Sequence, residues 1–410
     1  MPFWFWIVLY ALGSLPVLIW LGILFHPARP WDFHPVGEDE TPPGPEPEAW
    51  PDVAILVPAR NEAESLPGAL PSLLTQEYPG QYRVILVDDR SADGTSKIAW
   101  NIAEQCGQPE RLQVIQGRPL ESGWVGKVWA QNQAFTYLKE KTSTPPKYLL
   151  LTDADIRHEP GSLKRLVRES EGWKLALNSR MAHLRCETFY EKLLIPAFVW
   201  FFNLLYPMRQ VNDPQSKVFG AAGGCVLLER EALERAGGFA CIKNEIIDDV
   251  NLSKHIKALG VPIRLSLSRG EVRSMREYNN LDEVWKMVRR TAFTELKFSY
   301  VRLAGALLGL TLMFVIPVLW VVLGLTLGLL GSLGTLDLSP LIALGLAAKG
   351  FLVLAIMSSV YRPASNFFKL GAGWSWSLPY AGVLYGLMTF DSAWRHTLGK
   401  GVQWREKKTT

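Results

Sequence analysis

The sequence predicts an α/β protein with a mostly parallel central sheet, joined to apolar helices. Three observations carry this. From residue 52 to residue 152, short apolar runs alternate with helical patterns at the spacing of parallel strands. Residues 3–25 and much of the chain after residue 303 are uncharged over stretches long enough to cross a bilayer, for which roughly 20 residues suffice. The apolar run 148–152 ends abruptly in Asp153-Ala154-Asp155, and strand ends of parallel sheets are where ligands bind.

Residues 1–26 read as a transmembrane helix rather than a cleaved signal, because no basic segment precedes the run and no small-residue cleavage site comes after it. Arg29 on its C-terminal side places the residues beyond the helix in the cytoplasm. Residues 27–51 form a Pro-rich linker. Residues 52–300 hold the α/β domain. Strands are expected at 52–58, 82–87, 111–116, 148–152 and 261–266, with helices over 64–74, from 95 to about 105, from about 127 to 141, and from 248 to 259. No G-x-G-x-x-G follows the first strand, so a dinucleotide-binding reading fails. Residues 189–206 are intensely apolar and aromatic, and are expected as a helix lying in the membrane face, with a core helix as the alternative. Residues 281–302 read as one amphipathic helix. Residues 303–336, 341–361 and 370–390 are candidate spans within a membrane region over 301–392, and 393–410 is a basic tail.

Composition excludes several classes. The 410 residues are 48% hydrophobic and 20% charged, apolar for a soluble protein, and the net charge of +4 is too mild to argue for nucleic acid. Cys106, Cys186, Cys225 and Cys241 lie far apart, which fits neither a zinc site nor a disulfide framework and suits a reducing compartment.

The acidic strand ends point to chemistry. Side chains at i and i+2 of an extended segment share a face, so Asp153 and Asp155 offer two hard oxygen ligands for Mg2+ or Mn2+. A loop pair capping the next helix is the plain alternative. Asp88 and Asp89 end the second strand and stand where helix N-caps are found.

Val57-Pro58-Ala59-Arg60-Asn61-Glu62, then Val87-Asp88-Asp89 through Asp93-Gly94-Thr95, then Asp153-Ala154-Asp155, resemble the signature of family 2 glycosyltransferases with the GT-A fold, over roughly residues 50–260. The resemblance implies that Pro58 to Glu62 and Asp88 contact the nucleoside of a UDP-sugar, and that Asp153 and Asp155 bind a metal bridging its diphosphate. Of Asp88 and Asp89, one is expected only to cap. Gly123-Trp-Val-Gly-Lys127 resembles the ceramide-glucosyltransferase-like branch, which would put Lys127 near the diphosphate, against an ordinary exposed lysine. The Gly-rich stretch 219–224 would line the acceptor side. Asp248-Asp249 resembles the family's Glu-Asp motif with Asp248 in the Glu position, making Asp249 the base that deprotonates an acceptor hydroxyl. The plain reading is two acids favoured by the helix dipole.

Where many members carry Gln/Arg-x-x-Arg-Trp, this chain has Met287 to Thr291, which keeps only Arg290 and argues against a processive synthase. Arg289 or Arg290 is a candidate diphosphate contact, against a plain cytoplasmic-face anchor. The segments ending at Lys127 and Phe293 resemble the hopene-associated branch (HpnB type). Together these imply an inverting glycosyltransferase of the bacterial inner membrane, multi-pass, with its catalytic domain facing the cytoplasm. It would move a sugar from a nucleotide-sugar donor to a hopanoid-related lipid acceptor. The alternatives are another lipid (polyprenyl phosphate, glycerolipid or ceramide-like) or a non-catalytic nucleotide-sugar-binding scaffold.

Overall fold

The computed structural model of the chain describes residues 3–33, 40–141, 144–335 and 339–399, with side chains from residue 14 onward. The tail from residue 400 and part of the linker lie outside the described residues. The chain forms two compact units. One is built from His34–Arg185 and Tyr206–Glu277, the other from Met1–Phe33, Cys186–Leu205 and Tyr278–Val402.

The first unit is α/β. Its strands are β1 (Val53–Ala59), β2 (Tyr82–Asp88), β3 (Leu112–Gln116), β4 (Tyr148–Thr152), β5 (Ile156–His158), β6 (Leu177–Met181), β7 (Cys225–Glu229), β8 (Ile263–Leu267) and β9 (Val272–Ser274). Seven make one sheet in the order β3-β2-β1-β4-β7-β6-β8, and β5 pairs with β9. All neighbours in the large sheet are parallel except β7, which runs against β4 and β6. This is the mostly parallel α/β sheet expected. β1 and β4 are buried at every position, so they read as unbroken apolar runs rather than alternating ones. Pro58 is tolerated in β1 because pairing with β4 stops at Leu56. The helix Leu66–Leu74 buries Leu66, Ala69, Leu70 and Leu73, a helical stripe against the sheet.

β6 was not expected from sequence. Asn178, Ser179 and Arg180 sit in its middle and are fully buried. Burial of that charge is possible because Arg180 Nη2 donates to Glu169 at 2.6 Å, and Nη1 donates to Glu271. Asn178 donates to the second Glu169 oxygen at 2.9 Å.

The second unit is helical. A helix runs over Phe3–Leu24. The helix Phe189–Leu205 packs inside this unit. It buries Leu194, Ile195 and Trp200, stacks Trp200 on Trp20 with ring centroids 5.8 Å apart, and accepts from Tyr385 Oη at Leu194 O at 2.9 Å. Its middle is therefore a core element, whereas its ends, Phe189 and Leu205, stay exposed. The expected single helix over 281–302 is two. The first, Leu281–Glu295, ends where Lys297 and Phe298 take left-handed φ of 51° and 54°. Ser299 then caps a new start by accepting from Arg302 N.

Among the described residues, Tyr300–Ser332 and Pro340–Phe367 are long and apolar enough to cross a membrane. The first is continuous, with a wide turn at Thr311–Val315. Pro317 has no N–H for the carbonyl of Met313, and that carbonyl instead accepts from Trp20 Nε1 at 3.1 Å. The expected third span starts later, at Leu378, and carries Asp391, Arg395 and His396 before ending at Thr397.

Candidate active site

The parallel strands β1, β2 and β4 end at one edge of the sheet, and the acidic residues collect there. Ala59 and Asp88 are register partners, and Asp89 N donates to Ala59 O at 2.8 Å. The turns after β1 and β2 are zipped together by four further bonds. Asn61 N donates to Ser91 Oγ, Ala92 N to Asn61 Oδ1, Glu62 N to Thr95 Oγ1, and Ala63 N to Asp93 Oδ2, all between 2.9 and 3.0 Å. Asn61 and Arg90 both take left-handed φ, 53° and 58°, which lets two tight turns face each other. The result is a preformed polar cradle.

Asp88 is buried. Its Oδ1 accepts from Ser91 N at 2.9 Å and its Oδ2 from the Ser96 hydroxyl. Each oxygen keeps a second lone pair. Asp89 pairs instead with Arg60 Nη1 at 3.1 Å. Burial pushes Asp89 above the usual carboxylate range, and Arg60 opposes the shift.

Beyond β4 lies an acidic cluster around one ammonium. Lys127, at the start of the helix Gly126–Lys141, has its Nζ 2.9 Å from Asp153 Oδ1 and 3.4 Å from Asp248 Oδ2. Burial alone lowers an amine's proton affinity, but Asp153, Asp248 and Asp249 outweigh it, so Lys127 is held above its ordinary value. Asp248 and Asp249 open the helix Asp248–Lys257. Asp249 accepts from Val250 N at 2.8 Å and from Gly223 N. Burial first, then the Asp248 charge, push Asp249 up to about 7 against the pull of Lys127 and the two N–H groups. Gly223 is where the cluster closes. A Cβ there would stand 3.2 Å from both Asp249 Oδ2 and Lys127 Nζ.

The structure thus brings together Lys127, Asp153, Asp248 and Asp249, from three distant segments of the chain. Pro58 to Glu62 and Asp88 form the neighbouring cradle. Arg290 is not part of this unit and stands on the helix Leu281–Glu295, where Arg289 pairs with Asp391 at 3.2 Å.

The Asp153-Ala154-Asp155 turn is held by residues that sequence reading missed. Thr152 Oγ1 donates to Gly224 O at 2.9 Å and stands 3.0 Å from His158 Nε2. Ser162 Oγ meets His158 Nδ1 at 3.3 Å. Burial, helped by Arg180, lowers His158 to about 3, so it is neutral and gives its Nε2–H to Thr152. A hydroxyl closing an apolar strand and a histidine three residues beyond the acid pair were the only signals.

A divalent cation fits this donor set. Asp153 and Asp155 are hard carboxylates, and the Asp153 side chain is 37% exposed. Among the described residues no group of three or more His, Cys, Asp or Glu side chains is arranged to hold a metal ion unaided. A cation held by Asp153 and Asp155 would leave its other positions to phosphate oxygens and water, the habit of Mg2+ and Mn2+ beside phosphates.

Sheet order and site define a GT-A, nucleotide-diphospho-sugar-transferase architecture. Residues 54–237 match the model of glycosyl transferase family 2. They carry a glycosyltransferase domain of that kind over less than half of the chain. A dolichol-phosphate mannosyltransferase of Pyrococcus furiosus is 24% identical over 271 residues, 63% of this chain and 70% of that one. A beta-monoglucosyldiacylglycerol synthase of Trichormus variabilis is 27% identical over 60% of this chain, a match spanning about half, 48%, of the relative. A mannosyltransferase of Pyrobaculum calidifontis, solved with GDP-Man and Mn2+, superposes with a TM-score of 0.52 at 18% identity over 95% of this chain and 98% of that one, a likeness of fold.

Proposed function

We propose that this chain is an inverting glycosyltransferase that moves a sugar from a nucleotide-diphosphate donor, UDP-linked, to a hydroxyl of a lipid. The observation that carries this is the single cluster joining Lys127, Asp153, Asp248 and Asp249 at the sheet edge. The cradle of Pro58 to Glu62 with Asp88 would hold the nucleoside. Asp153 and Asp155 would hold Mg2+ or Mn2+, which when bound offsets charge on the departing diphosphate. Lys127 would supply a positive charge beside that diphosphate. Asp249, held close to neutrality in its proton affinity, would take the acceptor proton as the hydroxyl attacks the anomeric carbon. Inversion then needs no covalent intermediate.

The lipid reading is supported by the two long apolar helices and by the lipid named for the Trichormus relative. The resemblance of the segments ending at Lys127 and Phe293 to the hopene-associated branch favours a hopanoid-related acceptor. It also favours a bacterial inner-membrane setting with the α/β unit in the cytoplasm. The test is nucleotide release by purified full-length chain in detergent with Mn2+ or Mg2+, over a panel of UDP- and GDP-sugars, with and without hopanoid lipid. Release that depends on one donor and rises with the lipid is expected. Asp249→Asn should cut turnover by about 100-fold or more with nucleotide binding intact.

A second reading is transfer to a polyprenyl phosphate, favoured by the name and coverage of the Pyrococcus relative. A phosphate acceptor is already ionised and needs no base, so Asp249→Asn would then be mild.

A further inference from the structure

We propose that Lys127 occupies the cation position of the donor-free site, and so makes the site selective for a divalent cation arriving with a diphosphate over the free cation. This rests on the reading that Asp153 and Asp155 hold a cation. The Lys127 ammonium lies 2.9 Å from Asp153 Oδ1, which is ion-pair contact with the carboxylate that would ligate the metal. It also reaches Asp248 Oδ2 at 3.4 Å, and it shares the space over Gly223 with Asp249 Oδ2. One positive charge therefore satisfies carboxylates that would otherwise face each other across a half-buried space. The ammonium is a compact point charge with three donors on a flexible stem. It can serve several oxygens at once, and it can swing without moving the helix that carries it.

A bare divalent cation that takes Asp153 must displace this ammonium or sit beside it. Displacement leaves Lys127 with fewer partners in a buried site, and coexistence sets two cations against one carboxylate. A nucleoside diphosphate removes the conflict. Its phosphate oxygens give the displaced ammonium a new partner of the same charge type and give the cation its missing ligands. Cation and diphosphate should then bind with strong positive coupling, and that coupling is the same read from either ligand. Removing the Lys127 charge should have opposite effects on the two halves. The free cation should bind better, and the diphosphate should bind worse.

The experiment measures Mn2+ binding to full-length chain in detergent, by the electron spin resonance of unbound Mn2+, with and without UDP or GDP. In the unaltered chain the nucleotide should tighten Mn2+ by about 10-fold or more. Lys127→Met should bind Mn2+ alone about 10-fold tighter than the unaltered chain and gain much less from nucleotide. Lys127→Arg, which keeps the charge, should keep free-Mn2+ binding weak. Should Lys127→Met fail to fold, Lys127→Gln carries the same expectation, and Mn2+ alone should raise its unfolding temperature more than it raises that of the unaltered chain. Equal or weaker free-Mn2+ binding after loss of the charge, while the unaltered chain still shows coupled binding, overturns the inference. Absence of Mn2+ binding to the unaltered chain even with nucleotide overturns the cation reading of Asp153 and Asp155 instead.

Discussion

On the proposed role as base, Asp249 has two requirements that pull against each other. It must be ionised to accept a proton, yet basic enough to take one from a hydroxyl. Burial and the adjacent Asp248 charge supply basicity, whereas Lys127, Val250 N and Gly223 N keep the ionised form accessible. With its proton affinity pushed up to about 7, the fraction in the base form grows as pH rises through neutrality. On the hydroxyl-acceptor reading, kcat/KM should climb over that range and then level. Asp248→Asn removes the like charge beside Asp249, so Asp249 ionises more easily and the climb should move to lower pH. A pH–rate profile of the two proteins checks this, and an unmoved limb would assign the titration to another group.

At the scale of elements, the end of β4 is tied to its surroundings by the Thr152–His158–Gly224 contacts. Thr152→Val keeps the shape and strands the Gly224 carbonyl and the His158 Nε2–H in a buried place, at a cost of about 1–3 kcal/mol. A lower denaturant midpoint is the expected readout. His158 also ties stability to pH. It stays neutral in the fold down to about 3 but takes a proton near its ordinary value of 6.5 once unfolded. Between those values the unfolded chain binds the extra proton, so stability falls as pH drops through that window. In His158→Gln the fall from pH 6.5 to 4.5 should be shallower, and equal slopes would count against a neutral buried imidazole. Among the helices, a Cβ at Gly350 would stand 2.7 Å from Pro317 O and 2.9 Å from Val321 N. Gly350→Ala should therefore force Tyr300–Ser332 and Pro340–Phe367 apart and cost about 1–3 kcal/mol, read as a lower unfolding temperature in detergent.

These elements differ in how legible they were. β1, β2 and β4 announce themselves because burial on both faces demands apolar runs, and acidic residues stand at or just past the ends of β2 and β4. β6 is equally buried yet polar, because Arg180 meets Glu169 and Glu271 only after folding. The clasp on Thr152 was hidden for the same reason, since Gly224 is remote in sequence. Periodicity sees what one segment does alone, and it cannot see a charge made tolerable by a distant partner.

At the scale of the whole molecule, the path of the chain constrains what can be separated. Cys186–Leu205 leaves the α/β unit after β6 and belongs to the helical unit, before the chain returns for β7. Within the helical unit, Trp200 packs on Trp20 and Tyr361, Phe201 on Phe314 and Tyr385, and Leu194 O takes the Tyr385 hydroxyl. All of those partners lie before residue 34 or after residue 277. A chain cut to residues 40–277 would keep the helix Phe189–Leu205 and lose every one of them. Burying each large apolar side chain is worth about 1.5–3 kcal/mol, so leaving Leu194, Ile195, Trp200 and Phe201 uncovered makes a strongly adhesive face. That fragment is expected to aggregate or to stay with detergent even though it lacks both flanking apolar regions. Polar replacements at Leu194, Trp200 and Phe201 should release it, as size-exclusion chromatography without detergent would show. A monodisperse fragment with the natural helix would mean that the helix finds cover on the α/β unit itself, and that the helical unit is dispensable for folding of the catalytic one.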